Sequence, residues 1–103
     1  MTIDELRRRI DQLDERLVEL LSERAHCALE IGTLKKTLGL EVYQPEREAE
    51  VLHHVQSHGK QTGSPLEGDA IVRVFERIID EARRIERATA HQQAGDGEDR
   101  KPW

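Results

Sequence analysis

The chain has 103 residues and a formal net charge of -5, with 36% charged and 3% aromatic residues. A chain of this length forms one small domain, and long tracts rich in Glu, Arg, Leu and Ile favour helices over a sheet. Both signs of charge are interspersed, which argues against a nucleic-acid partner, and no run approaches the ~20 apolar residues needed to span a bilayer.

The first predicted helix spans residues 3–38, where a heptad pattern alternates steps of three and four. At ~1.5 Å per residue this helix is about 50 Å long, and two shorter helices do not cover it. Gly39 is a natural terminator, and Asp4 is placed to cap the start or to complement the helix dipole in the first turn. We therefore expect the pattern to meet a second copy of itself in a homodimer. Its positions, named the heptad seam, are Ile3, Leu6, Ile10, Leu13, Leu17, Leu20, Arg24, Cys27, Ile31, Leu34 and Leu38.

A connector over residues 40–44 leads to a second predicted helix from Pro45 to His58. Proline suits the first position of a helix. The following break contains, in order, Gly59, Gly63, Ser64 and Pro65, and such residues typically mark loops.

The third predicted helix begins at Pro65 or Glu67, with Thr62 or Ser64 able to cap it, and runs to about Ala90. Residues 91–103 are polar, contain glycine and lack any period, so we expect a disordered tail. The prediction is therefore an all-α domain over residues 1–90. The buried stripe of its third helix contains Ile71, Val74, Phe75, Ile78, Ile79, Ala82 and Ile85.

Charged side chains lie on or beside the predicted buried stripe of every helix. Burying an unpaired charge is costly, so such residues pair with each other or with a ligand. One alternative is a structural ion network or a polar residue that specifies dimer register. Cations outnumber carboxylates, however, which favours a small polyanionic ligand, since Arg binds carboxylates through its fork and Lys as a point charge. The residues are Arg7, Arg24, Lys35, Arg47, Glu48 and Glu86.

Other candidate sites are weaker. His54 and His58 lie one helical turn apart, but no third ligand is evident, so we predict no metal site. Cys27 lies on the heptad seam and is expected to be a small core residue. Gly32 costs up to ~1 kcal/mol relative to Ala inside a helix, which indicates close approach of another backbone or of a ligand.

A single cysteine excludes an intramolecular disulfide and is compatible with a reducing compartment. The first residues lack a basic region followed by an apolar one. We therefore expect a soluble, cytoplasmic protein with no membrane partner.

Taken together, these residues resemble the all-helical chorismate mutases. The likeness covers about residues 3–90, and the charged positions match in type and in spacing. The matching residues are Leu6-Arg7, Ile10, Leu13-Asp14, Leu17, Leu20-Leu21, Glu23-Arg24, Glu30-Ile31-Gly32, Lys35, Arg47-Glu48, Phe75, Ile78-Ile79 and Glu86.

The resemblance implies an intertwined helical homodimer of three-helix subunits, in which the long helix of each chain completes the active site of the other. It implies the Claisen rearrangement of chorismate to prephenate without metal, cofactor or covalent intermediate. Arg24 and Arg7 of the partner subunit would hold the two substrate carboxylates. Lys35 would contact a carboxylate and the ether oxygen.

The resemblance also assigns the opposite side of the pocket. Glu48 would bind the ring hydroxyl with help from the backbone near Gln44, and Arg47 would line the same pocket. Glu86 takes the place of the family's second ligand to the ether oxygen, which is Gln or Glu. Negative charge builds on that oxygen as its bond to carbon breaks, and Glu86 donates a hydrogen bond to it only when protonated.

Two positions depart from the family pattern. Ala82 stands where some members have Ser, so one hydroxyl contact to a carboxylate is missing. Arg83 stands where well-known members are apolar, and we expect it to point to solvent at the pocket rim, with an extra carboxylate contact as the alternative.

Three alternatives concern the function as a whole. Isochorismate pyruvate lyase uses the same fold and a similar pocket. A non-catalytic helical dimer predicts direct Arg24 to Glu salt bridges with no cavity between them. Activity stimulated by a partner enzyme of the same pathway is the third.

Overall fold

The computed structural model describes the backbone of residues 1–94 and the side chains of residues 1–89. Over that range the chain forms three helices and no strand: α1 (Ile3–Leu38), α2 (Pro45–Gln61) and α3 (Gly68–Ala94). The all-α prediction is confirmed. The part of the expected tail from residue 95 onward lies outside the described residues.

Helix α1 begins and ends where the heptad pattern predicts. Its N-cap is Thr2, whose hydroxyl accepts a hydrogen bond from the Glu5 backbone N–H at 3.1 Å, and Asp4 lies in the first turn. At the other end Gly39 has φ 70°, a left-handed conformation that glycine adopts without strain. Helix-end signals in the sequence therefore located both termini.

Helices α2 and α3 are both longer than predicted. Gly59 does not end α2. A Cβ at this position would overlap the Ile71 side chain of α3, so packing against α3 explains the glycine. This glycine permits close helix packing, and the break follows at Gly63, with φ 68°. Helix α3 extends to Ala94 and so includes residues 91–94, which lie beyond its predicted end at about Ala90. They include Gln and Ala, which are good helix formers.

Helix α3 packs against both α1 and α2, whereas among the described residues no Cα of α1 lies within 8 Å of a Cα of α2. The buried residues of α1 are Ala28 and Gly32, one position away from the heptad seam. On α3, Ile71 and Ile79 are buried. The packing leaves a gap between α1 and α2, with α3 beneath it.

The heptad seam remains exposed within the single chain. Ile10, Leu17 and Leu34 are 54%, 55% and 58% exposed, and Cys27 is exposed rather than in the core. The radius of gyration is 17.6 Å, compared with about 13 Å for a compact chain of similar length. A contiguous apolar surface of this kind typically marks an interface with another protein. Among residues 1–94, no helix has both the length and the apolar character needed to cross a bilayer.

Candidate active site

A cavity of 420 Å³ lies in the gap between α1 and α2. Pockets for small ligands typically measure about 300–1,000 Å³. Each helix contributes residues at helical spacing, so one face of each helix forms the wall. The lining residues are Arg24, Cys27, Ala28, Ile31, Lys35, Leu40, Val42, Gln44, Arg47, Glu48, Val51, Ile79, Ala82, Arg83 and Glu86.

The structure brings together all but one of the side chains that the sequence singled out for substrate binding. Those in the cavity are Arg24, Lys35, Gln44, Arg47, Glu48, Ala82 and Glu86. Arg7 lies elsewhere, because it belongs to the second turn of α1. Its side chain is 74% exposed, with Nη1 4.0 Å from Asp4 Oδ1.

Lys35 and Glu86 form an ion pair within the cavity. Lys35 Nζ lies 2.8 Å from Glu86 Oε1, and the two side chains are 15% and 10% exposed. Lys35 Nζ also donates a hydrogen bond to the Val42 carbonyl oxygen at 2.8 Å. The contact between the charges is not aligned as a hydrogen bond. Since burial is costly for an unpaired charge, each side chain stabilises the other where it lies.

Gly32 explains why α1 and α3 come so close at this ion pair. A Cβ at Gly32 would lie 3.2 Å from the Glu86 Cα and 3.4 Å from its Cβ. The 3.2 Å contact is tighter than most contacts of a Cβ atom and meets backbone, so a side chain at this position would push the two helices apart by a few tenths of an ångström. The prediction that Gly32 permits close approach of another backbone is confirmed, and that backbone is the one carrying Glu86.

Glu48 is held by Arg83, a residue expected to point to solvent. Arg83 Nε lies 2.8 Å from Glu48 Oε2, and Arg83 Nη2 donates a hydrogen bond to Glu48 Oε1 at 3.2 Å. The Nη2 group also donates to Asp80 Oδ1 at 2.8 Å. The expectation for Arg83 was therefore wrong, because a partly buried carboxylate on α2 attracts its guanidinium inward.

A signal for Arg83 was present in the sequence. Ile79, Ala82, Arg83 and Glu86 follow the spacing i, i+3, i+4 and i+7, so they share one helix face. All four line the cavity. The apolar pattern of α3 nevertheless includes Ile78 and Ile85, and it obscured this second, mixed face.

Gln44 and Arg47 shape the entrance from the connector and the start of α2. Gln44 is the N-cap residue of α2, and its carbonyl oxygen accepts a hydrogen bond from the Glu48 backbone N–H at 3.0 Å. Arg47 has an exposed side chain, with Nη1 3.6 Å from Glu50 Oε1. The first residue positions the backbone next to Glu48, and the second supplies an exposed cation at the rim.

The side chains that line the cavity carry a net positive charge. Four basic side chains face two carboxylates, and among the described residues Arg24 forms no salt bridge. A second, largely apolar groove of 700 Å³ lies between α1 and α3 and shares Arg24 and Ala82 with the cavity. Arg24 therefore stands between a polar ligand cavity and the apolar surface continuous with the heptad seam.

Comparison with known proteins identifies the family. The profile of the type II chorismate mutase family matches residues 6–87. The chain is 43% identical over 86 residues to the bifunctional chorismate mutase/prephenate dehydratase of Pseudomonas aeruginosa, a match covering 79% of this chain and 23% of that protein. It is 36% identical over 77 residues to the T-protein of Enterobacter agglomerans, covering 75% of this chain and 20% of that protein.

A relative of similar length also matches. The chain is 23% identical over 83 residues to the chorismate mutase of Methanocaldococcus jannaschii, covering 81% of this chain and 82% of that protein. By contrast, the chain spans about a quarter of the length of the bifunctional proteins. The family match extends from the first turns of α1 to the residue after Glu86 and includes every element of the cavity. The chain therefore belongs to the type II chorismate mutase family.

Proposed function

We propose that this chain catalyses the rearrangement of chorismate to prephenate. The observation that carries the proposal is the 420 Å³ cavity, in which Arg24 forms no salt bridge with the described residues. Lys35 of α1 and Glu86 of α3 line the same cavity and form an ion pair there. A non-catalytic dimer predicts direct Arg24 to Glu salt bridges and no cavity. An open cationic cavity suits a small dicarboxylate instead.

Substrate binding follows from the placement of charge. Arg24 offers its guanidinium fork to one carboxylate of chorismate, and Lys35, which lines the same cavity, contacts a carboxylate as well. Glu48 accepts a hydrogen bond from the ring hydroxyl. Holding a flexible molecule in the compact conformer that reacts removes part of the entropic barrier.

The chemical step develops negative charge on the ether oxygen as the carbon–oxygen bond breaks and the new carbon–carbon bond forms. Lys35 and Glu86 are the side chains we assign to that oxygen. Donors already directed at the atom where charge appears stabilise the transition state more than the substrate. Lys35 donates as a cation. Glu86 donates to the ether oxygen only when protonated, so its ion pair with Lys35 is replaced when the substrate binds.

The active form is an intertwined homodimer. The heptad seam is exposed along the length of α1, and Arg7 lies on the part of α1 remote from its own cavity. A second copy packed along the seam would cover the apolar groove next to Arg24. Arg7 of the partner subunit would then add a cation to the cavity and complete the site.

The physiological setting is aromatic amino acid biosynthesis in the cytoplasm. Several relatives are named as bifunctional chorismate mutase/prephenate dehydratases. We propose that the prephenate formed here passes to the next activity of the pathway, and that a partner enzyme of that pathway could stimulate the mutase.

The proposal is tested by loss of chorismate absorbance with purified protein, followed by identification of the product. Prephenate formation that is abolished in Arg24→Ala is the expected result. Isochorismate is assayed in parallel, because release of pyruvate from it would identify a lyase instead. Turnover of neither compound would overturn the assignment as an enzyme.

A further inference from the structure

Arg83 joins three parts of the cavity wall. From α3 its guanidinium reaches Glu48 on α2, with Nε–Oε2 and Nη2–Oε1 distances of 2.8 and 3.2 Å. Asp80 holds the same Nη2 group at 2.8 Å from α3 itself. The guanidinium carbon lies 5.4 Å from the ring centroid of Tyr43 in the connector, within the range of a cation–π contact.

The two arginines of the inner cavity therefore differ in what they can bind. Among the described residues, Arg24 forms no salt bridge, so its donors are available to a ligand. Arg83 directs two nitrogens at Glu48 and one of these also at Asp80. A guanidinium bound to two carboxylates and stacked on a ring is poorly placed to take a substrate carboxylate as well.

Glu48 gains a defined orientation from this contact. Each carboxylate oxygen has two acceptor sites, and Arg83 faces one oxygen with Nε and the other with Nη2. Nη2 donates a hydrogen bond, and Nε adds a close charge contact that is not aligned as a hydrogen bond. Together the two contacts restrain both oxygens of the carboxylate. The remaining acceptor sites of a partly buried Glu48 are then presented to the cavity in one direction.

We infer that Arg83 is a positioning residue that fixes the Glu48 carboxylate for the ring hydroxyl of the substrate and so makes the site sensitive to where that hydroxyl lies. The inference rests on the proposed function. It assigns Arg83 an effect that acts through Glu48, and it assigns no contact between Arg83 and the substrate.

The test compares chorismate with an analogue that lacks the ring hydroxyl. In Arg83→Leu, kcat/KM for chorismate should fall by about tenfold to a hundredfold, the range for a charged hydrogen bond. The affinity for the analogue, measured as a competitive inhibitor of chorismate turnover, should change by less than about threefold. An equal loss for both compounds would show that Arg83 binds a carboxylate, and the inference would be overturned.

Controls separate this result from loss of folding. Arg84→Leu removes the neighbouring arginine, which has an exposed side chain and lies 3.9 Å from Glu81, and it should leave both values unchanged. Circular dichroism and Tm report whether each variant folds. If Arg83→Leu does not fold, Arg83→Lys is used, because a point charge keeps the pairing but lacks the fork, and the same selective loss is expected at smaller size.

A double-mutant cycle with Glu48→Gln gives an independent answer. If Arg83 acts through Glu48, adding Arg83→Leu to Glu48→Gln should lower kcat/KM by less than about threefold. Losses that multiply would contradict the inference. Failure of the proposed function can be told apart from failure of the inference on Arg83, because in the first case the wild-type chain would not convert chorismate.

Discussion

At the residue scale, the central feature is the buried pair formed by Lys35 and Glu86. Their charges offset each other across 2.8 Å, and Lys35 is also anchored by the Val42 carbonyl oxygen. A substrate carboxylate or ether oxygen that approaches Lys35 competes with Glu86 for it. Only the neutral acid form of Glu86 donates to the same oxygen, and the proposed mechanism therefore depends on its proton.

We predict that kcat/KM falls as the pH rises, because Glu86 donates to the ether oxygen only while it carries a proton. Loss of the proton removes a donor and places a second negative charge beside the ether oxygen. Glu86→Gln should flatten this dependence, because an amide donates at every pH. Rates are measured across the acidic and neutral range.

The control for this prediction is Glu76→Gln, which changes an exposed carboxyl on the same helix. Its pH profile should match that of the wild-type chain. Identical profiles for the wild type and Glu86→Gln would remove Glu86 from its assigned role.

At the element scale, small residues set the distance between helices. Gly32 brings α1 onto the backbone at Glu86, and Gly59 brings α2 onto Ile71. The first contact lies beside the Lys35–Glu86 pair, so the spacing of the helices and the geometry of this pair depend on the same position. A displacement of well under 1 Å at Gly32 would move the donors relative to the substrate.

For Gly32→Ala we predict a larger effect on activity than on stability. Alanine gains up to about 1 kcal/mol of helix propensity, which offsets much of the strain from the contact with the Glu86 backbone. The value of kcat/KM should fall by about tenfold or more, because misplaced catalytic groups are costly, while Tm changes by a few degrees at most.

The matched control is Thr33→Ala, at the next position of α1, where the side chain is exposed. It should leave kcat/KM unchanged. A Gly32→Ala variant with full activity would show that the helix spacing is not coupled to catalysis.

At the scale of the whole molecule, the single chain leaves its longest apolar surface uncovered and Arg7 outside the cavity. Both observations have one explanation if α1 contributes residues to the cavities of both subunits of a dimer. Its C-terminal half, with Arg24 and Lys35, builds the cavity of its own chain. Its N-terminal half then serves the partner.

Complementation tests this arrangement. Arg7→Ala and Arg24→Ala homodimers should each be nearly inactive. After unfolding and refolding together, half of the dimers are mixed, and each mixed dimer contains one site with both arginines intact. We predict recovery of about a quarter of the wild-type activity.

The control mixes each variant with itself, which should recover nothing. If Arg7 acted within its own chain, every site in the mixture would lack one arginine and activity would stay absent. Size-exclusion chromatography reports whether the mixed species are dimers.

Much of this molecule follows from local pattern. The limits of α1 were predictable because Gly39 and the residues at its start act on the helix that contains them. Arg24, Lys35, Glu48 and Glu86 were predictable as a group because buried charges stand out against apolar spacing. The family resemblance rests on those same residues.

Other features depend on what lies opposite a residue in space. Gly59 is of a residue type that often ends a helix, yet it lies within α2. Its lack of a side chain leaves the space that Ile71 of α3 occupies. Arg83 is of a residue type that usually lies on the surface, yet it contacts Glu48 because α2 places a partly buried carboxylate opposite it. The sequence by itself determined the helices and the charges available for a dicarboxylate site; the tertiary structure decided helix spacing and the pairing of those charges, because both depend on contacts between residues far apart in the chain.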